Sequence, residues 1–165
     1  MTPFTIIHVL LSLVGIITGL VVLAGLLTAK RLDSWTVVFL ASTLATSLTG
    51  FGFPFERLLP SHIVGAISIV VLAAAIYSRY VGLMAGRWRS IYVVTAVVAL
   101  YLNVFVLVVQ LFLKVPALNA LAPTQSEPPF TIAQTIVLLI FAALGVAAVK
   151  RFRMNGGPVR GAASA

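Results

Sequence analysis

Histidine and carboxamide side chains are the groups in this chain best suited to chemistry in an apolar setting. They are His8, His62, Asn103, Gln110 and Gln134. An imidazole can ligate a metal or haem iron or transfer a proton, and a carboxamide can both donate and accept hydrogen bonds. All five lie within or beside long apolar stretches, so their chemistry depends on the elements that position them.

The composition predicts a membrane protein. The chain is 61% hydrophobic and only 8% charged, with a mean hydropathy of +1.17, whereas soluble domains have roughly 25% charged residues. A net charge of +8 would also suit a nucleic-acid partner. The basic residues, however, are divided among short segments without interleaved stacking aromatics, so we expect no such partner. The absence of cysteine excludes disulfides and thiol catalysis.

Five apolar segments divide the chain. They cover residues 4–28, 35–55, 61–80, 89–113 and 131–149. Each has about 19 to 25 residues, and a helix needs about 20 to cross the hydrocarbon core. Hydroxyl residues make the second segment the least apolar. We predict an all-α, polytopic integral membrane protein whose five transmembrane helices form one bundle over residues 1–153, followed by a flexible tail over residues 154–165. No cleavable leader is expected.

The basic residues predict an orientation. If every segment spans the membrane, nine of the eleven Lys and Arg residues fall on one side. These nine are Lys30, Arg31, Arg79, Arg87, Arg89, Lys150, Arg151, Arg153 and Arg160. The positive-inside rule then places the N-terminus outside and the C-terminus in the cytoplasm. We expect an integral protein of a bacterial inner membrane, with the lipid bilayer as its first partner.

This orientation predicts a polar pocket in the outer half of the bundle. His8 and His62 begin helices that run inward, and Asn103 lies about 18 Å from an inner boundary at Ile91. The inner half should contain no comparable buried polar group. The expected pocket residues, besides the two histidines, are Ser12, Arg57, Asn103, Gln110, Glu127 and Gln134.

Two cofactors would suit this pocket. His8 and His62 could be opposed axial ligands of a haem b, with Arg57 or Lys114 near its propionates. A quinone could instead accept hydrogen bonds at its carbonyls from a histidine and from Asn103 or Gln110. The sequence leaves both cofactors open, beside the simpler interpretation that the histidines are structural.

The sequence gives less support to a metal site, proton-coupled transport or catalysis. A mononuclear metal site would need Glu56 or Glu127 beside the histidines, and the metal would be unknown. Since no acidic residue lies within the apolar segments, proton-coupled transport is disfavoured. His8 and Ser12 share a helical face but lack an acid to orient the imidazole, so we predict no catalytic residue and expect a protein that is not an enzyme.

Small residues mark the faces along which the helices should pack. Gly15 and Gly19 form a GxxxG pattern, which can serve packing within the chain or a homo-oligomer. The second segment has a small-residue face formed by Ala41, Ser42, Ala45, Thr46 and Gly50. These faces favour an accessory, scaffold or binding protein with a membrane-protein partner or a second copy. A redox-linked protein and a small-molecule carrier acting as an oligomer are the alternatives.

Overall fold

The computed structural model describes residues 2–53 and 60–152, and this part of the chain is helical with no strand. The helices are α1 (Pro3–Leu27), α2 (Asp33–Gly50), α3 (Pro60–Ile76), α4 (Arg87–Lys114), α5 (Pro116–Leu121) and α6 (Pro128–Arg151). A π-helix (Tyr77–Val81) continues α3. The predicted tail over residues 154–165 lies outside the described residues.

Proline and hydroxyl residues account for several helix starts. Pro3, Pro116 and Pro128 each occupy the first turn of a helix, where the missing backbone N–H leaves no hydrogen bond unmade. Thr2 caps α1, since its hydroxyl accepts from the backbone N–H of Thr5 at 3.3 Å. The second helix begins two residues before its predicted segment and ends at Gly50, where Phe51 and Gly52 form a turn.

Long-range contacts show that successive long helices run in opposite directions. His8 near the start of α1 contacts Thr49 near the end of α2. At the opposite end of the bundle, Asp33 at the start of α2 pairs with Arg79 in the π-helix. We call the first end, where α1, α3 and α6 begin, the histidine end, and the second the arginine end.

The fourth helix forms the centre of the bundle. Its buried stripe includes Tyr92, Ala96, Ala99 and Asn103, and it packs against α1, α3 and α6. The small residues let neighbouring backbones approach closely, as is usual for helices packed in lipid. The sixth helix lies at the periphery and leaves most of its apolar side chains exposed.

The two glycines of the GxxxG pattern are buried inside the protomer. A methyl group on Gly19 would lie 2.6 Å from Cδ1 of Leu100 and 2.8 Å from Cε2 of Phe39. Gly15 similarly faces the side chains of α2 and α4. A homo-oligomer stays a prediction, and in this conformation it would have to use other residues.

Four helical segments are long and apolar enough to cross a membrane. They are Pro3–Leu27, His62–Val81, Arg87–Lys114 and Pro128–Arg151. The hydroxyl-rich α2 is absent from this set, in keeping with the weak apolarity of the second predicted segment. These helices are compatible with an integral membrane protein.

Candidate functional site

A cavity of about 550 Å³ lies at the histidine end, between α1, α2, α3 and α4. It runs from Ser12 toward the helix ends, where Thr5 and Lys114 contribute to its wall. Polar side chains line one part of it, and valine, leucine and phenylalanine side chains line the rest. The polar residues include His8, Ser12, Thr46, Ser47, His62, Asn103 and Gln110.

His8 is half-buried at the junction of α1 and α2. Its Nδ1 atom lies 2.9 Å from Oγ1 of Thr49. The Phe53 ring meets the imidazole edge to face, with the ring centroids 5.1 Å apart. These two contacts fix the plane of the imidazole at the cavity wall.

His62 is deeply buried near the start of α3. Its ring lies 6.0 Å from that of Phe51, the residue that follows α2. Both histidines therefore line the same cavity, each beside a phenylalanine from the turn after α2.

Asn103 connects three helices at the inner wall of the cavity. Its Nδ2 donates to Oγ1 of Thr43 at 3.1 Å, and the side chain is buried. Gly15 of α1 makes room for this bond, since a methyl group there would lie 3.0 Å from the Thr43 oxygen. The contact is the helix-to-helix hydrogen bond that a lone amide in an apolar segment favours.

We expect a double-mutant cycle on Asn103→Ala and Thr43→Val to give a coupling energy of about 0.6 kcal/mol and no more than about 1.7 kcal/mol, the average and the maximum for hydrogen bonds between membrane helices. The free energy of unfolding in mixed micelles measures it. Thr95→Val is the control, because the Thr95 hydroxyl bonds to Ile91 in its own helix. A coupling no larger than that between Asn103→Ala and Thr95→Val would contradict this role for the amide.

Two of the predicted pocket residues, Gln134 and Glu127, do not line the cavity. Gln134 is buried against α4, where its Nε2 donates to the carbonyl oxygen of Phe105 at 3.2 Å. Its Oε1 atom is buried without a hydrogen-bond partner among the described residues. Arg57, like Glu56, lies outside those residues, and Glu127 belongs to the loop before α6.

Glu127 organises the loop between α5 and α6. Its carboxylate accepts from the backbone N–H and the hydroxyl of Thr124 and from the backbone N–H of Ser126. Slight desolvation acts to raise the pKa of Glu127, but the hydrogen bonds lower it, and the pKa lies below its ordinary value. This carboxylate is engaged in loop structure.

The burial of Arg79 at the opposite end of the bundle was not predicted. We expected no buried polar group at this end, and the burial of Arg79 shows that this expectation was wrong. The Arg79 side chain is only 3% exposed and pairs with Asp33, and its guanidinium carbon lies 5.0 Å from the centre of the Tyr92 ring. The signal available in the sequence was Asp33, an acidic residue two positions after the basic pair Lys30 and Arg31.

No protein-family model matches this chain, and no curated protein and no solved structure is significantly similar to it. The fold defines the chain only as an all-helical protein with four candidate membrane-spanning helices. Any more specific function has to be argued from the cavity and its residues.

Proposed function

We propose that this chain is a five-helix integral membrane protein that binds a small lipophilic molecule in the cavity at the histidine end. It acts as a binding or accessory protein and not as an enzyme. The observation that carries the proposal is the cavity itself, in which a few polar groups converge within an otherwise apolar lining, as is typical of ligand sites.

The hydrogen bonding of α2 supports its role as a fifth span. Its Ser42, Thr46, Ser47 and Thr49 hydroxyls each donate to the carbonyl oxygen four residues earlier. These bonds remove the cost of unpaired hydroxyls in hydrocarbon. A helix of 18 residues is about 27 Å long, close to the thickness of the hydrocarbon core.

The distribution of charge supports placing the cavity on the outer face. Basic residues described at the arginine end are Lys30, Arg31, Arg79, Arg87, Arg89, Lys150 and Arg151. Lys114 lies at the other end, beside the cavity. By the positive-inside rule the arginine end is cytoplasmic, which in a bacterial inner membrane opens the cavity to the periplasmic side.

Filling the cavity should release its ligand. We expect Ser12→Phe and Gly50→Leu to lower the amount of a co-purifying lipophilic compound at least tenfold. Mass spectrometry of extracts from protein in lipid nanodiscs measures it, with Leu10→Phe as the matched control on an exposed face of α1. Identical extracts from the wild type and from all three variants would contradict a ligand site here.

Haem b is a second candidate ligand, favoured by one observation. The Nδ1 atom of His8 is hydrogen-bonded to Thr49, and a bond of this kind orients a histidine whose other nitrogen ligates iron. A haem bound by His8 and His62 would give a Soret absorption band that His8→Ala and His62→Ala both remove. Colourless wild-type protein from haem-replete cells would contradict haem binding.

A further inference from the structure

The α2 hydroxyls that line the cavity each donate their proton to a backbone carbonyl of α2. Thr46 and Ser47 donate to the carbonyl oxygens of Ser42 and Thr43, each at 2.9 Å. Because a hydroxyl has a single proton, any further hydrogen bond to these oxygens must come from a donor on the other molecule. This wall of the cavity therefore offers hydrogen-bond acceptors.

The single proton of the Thr49 hydroxyl also determines which nitrogen of the neutral His8 ring is protonated. This hydroxyl lies 2.7 Å from the carbonyl oxygen of Ala45, and His8 Nδ1 lies 2.9 Å from the same hydroxyl. If Nδ1 were an acceptor, the Thr49 proton would point at the imidazole, and two oxygens 2.7 Å apart would face each other with lone pairs only. Nδ1 is therefore protonated in the neutral ring, and Nε2 has the lone pair.

Aromatic side chains line the part of the cavity next to the two histidines. Phe53 packs against the His8 ring and Phe51 against the His62 ring, and both phenylalanines line the cavity. Aromatic rings pack favourably edge to face or offset with another aromatic ring. This lining suits a flat aromatic group close to the imidazole of His8.

From these observations we infer that the cavity selects a lipophilic hydroxyaromatic compound, a phenol or hydroquinone, whose hydroxyl donates to Nε2 of His8. The inference rests on the proposed function and names the class of ligand. A quinone or an aryl ether offers only acceptors, so an oxygen of either one placed against the α2 wall beside His8 would meet the lone pairs of His8 and Thr46. The hydrogen bond therefore runs from the ligand to the histidine, opposite in direction to a site in which the histidine donates to a quinone carbonyl.

Three matched compounds test the inference on the full chain in nanodiscs. They are a decyl-substituted hydroquinone kept under reductant, the corresponding quinone and the hydroquinone dimethyl ether. We expect the hydroquinone to bind at least tenfold more tightly than either of the others, because each of these leaves the buried acceptors without a donor. Equal affinity for all three, or tighter binding of the quinone, would overturn the inference while leaving a lipophilic site in place.

Substitution of His8 tests whether Nε2 causes the preference for the hydroquinone. In His8→Asn the amide can still donate toward Thr49, but no acceptor remains at the position of Nε2, so the preference for hydroquinone over its ether should fall to near one. A preference that persists unchanged in this variant would contradict the role of Nε2. If none of the three compounds binds to the wild type, the proposed function fails, and the inference fails with it.

Nitrogen-15 NMR of protein labelled at histidine tests the tautomer of His8 directly. It needs no ligand, and the wild type itself is measured, so a folding defect in a variant cannot affect the result. We expect the neutral His8 ring to have a protonated Nδ1 and an unprotonated Nε2 in the wild type, and to lose this preference in Thr49→Val. A neutral wild-type ring protonated at Nε2 would overturn the inference.

Discussion

Replacing Asp33 with asparagine is expected to destabilise the protein by about 2 kcal/mol, because it removes the carboxylate that accepts a hydrogen bond from a buried guanidinium. The Arg79 side chain is almost fully buried in the π-helix, whereas Asp33, the carboxylate paired with it, is 64% exposed. The remaining partners of Arg79 are the faces of Tyr80 and Tyr92 and the sulfur of Met84. Cation–π contacts of this kind replace only part of the lost interaction.

The free energy of unfolding, measured by denaturant titration in mixed micelles, tests this result. Arg31→Ala is the control, since Arg31 contacts the same carboxylate at 3.3 Å but is about half exposed and should contribute less than about 1 kcal/mol. We also expect Arg79→Leu to restore most of the stability of Asp33→Asn, because it removes the unpaired charge and fills the same space. If Asp33→Asn and Arg31→Ala cost the same, the Asp33–Arg79 pair does not hold α2 to the π-helix.

Replacing Gly19 with alanine is expected to cost about 1–3 kcal/mol, the usual penalty for overpacking a core. The added methyl group would overlap Leu100 and Phe39, at 2.6 and 2.8 Å. Neither neighbour can move away easily, because both are buried in the core. The penalty would appear despite the higher helix propensity of alanine, which favours the substitution by up to about 1 kcal/mol.

Gly145→Ala is the matched control, since a methyl group there would lie at an ordinary 3.5 Å from Cγ1 of Val97. We expect this variant to unfold with wild-type or slightly greater stability. Equal stability of Gly19→Ala and Gly145→Ala would mean that α1 does not pack against α2 and α4 as described. Size-exclusion chromatography with light scattering shows whether either variant also changes the oligomeric state.

Helical spacing in the sequence accounts for much of how the cavity is assembled. His8 and Ser12 are four residues apart, and Asn103 and Gln110 are seven apart, so each pair shares one face of its helix. All four residues line the cavity. The purpose of the cavity remains a proposal, because spacing indicates a shared face and not what binds there.

Contacts between distant helices could not be predicted from spacing within a helix. Gln134 packs against the backbone of α4 instead of the cavity, and its direction depends on how α6 is rotated. Arg79 lies in a π-helix, whose wider turns shift the helical phase, and its partner is 46 residues away. Counting Arg79 as one more cytoplasmic charge therefore missed its burial.

Thiol accessibility from the two sides of the membrane tests the central claim most directly, and the absence of native cysteine makes every introduced thiol unique. The claim is that a cavity lined by Ser12 and Gln110 opens to the outer face. We predict that a membrane-impermeant maleimide added to intact cells labels Ser12→Cys and Gln110→Cys. Ile17→Cys, on an exposed apolar face of α1, should remain unlabelled because thiolates do not form in lipid. Labelling of positions 12 and 110 only in inverted vesicles, or from neither side, would contradict the claim.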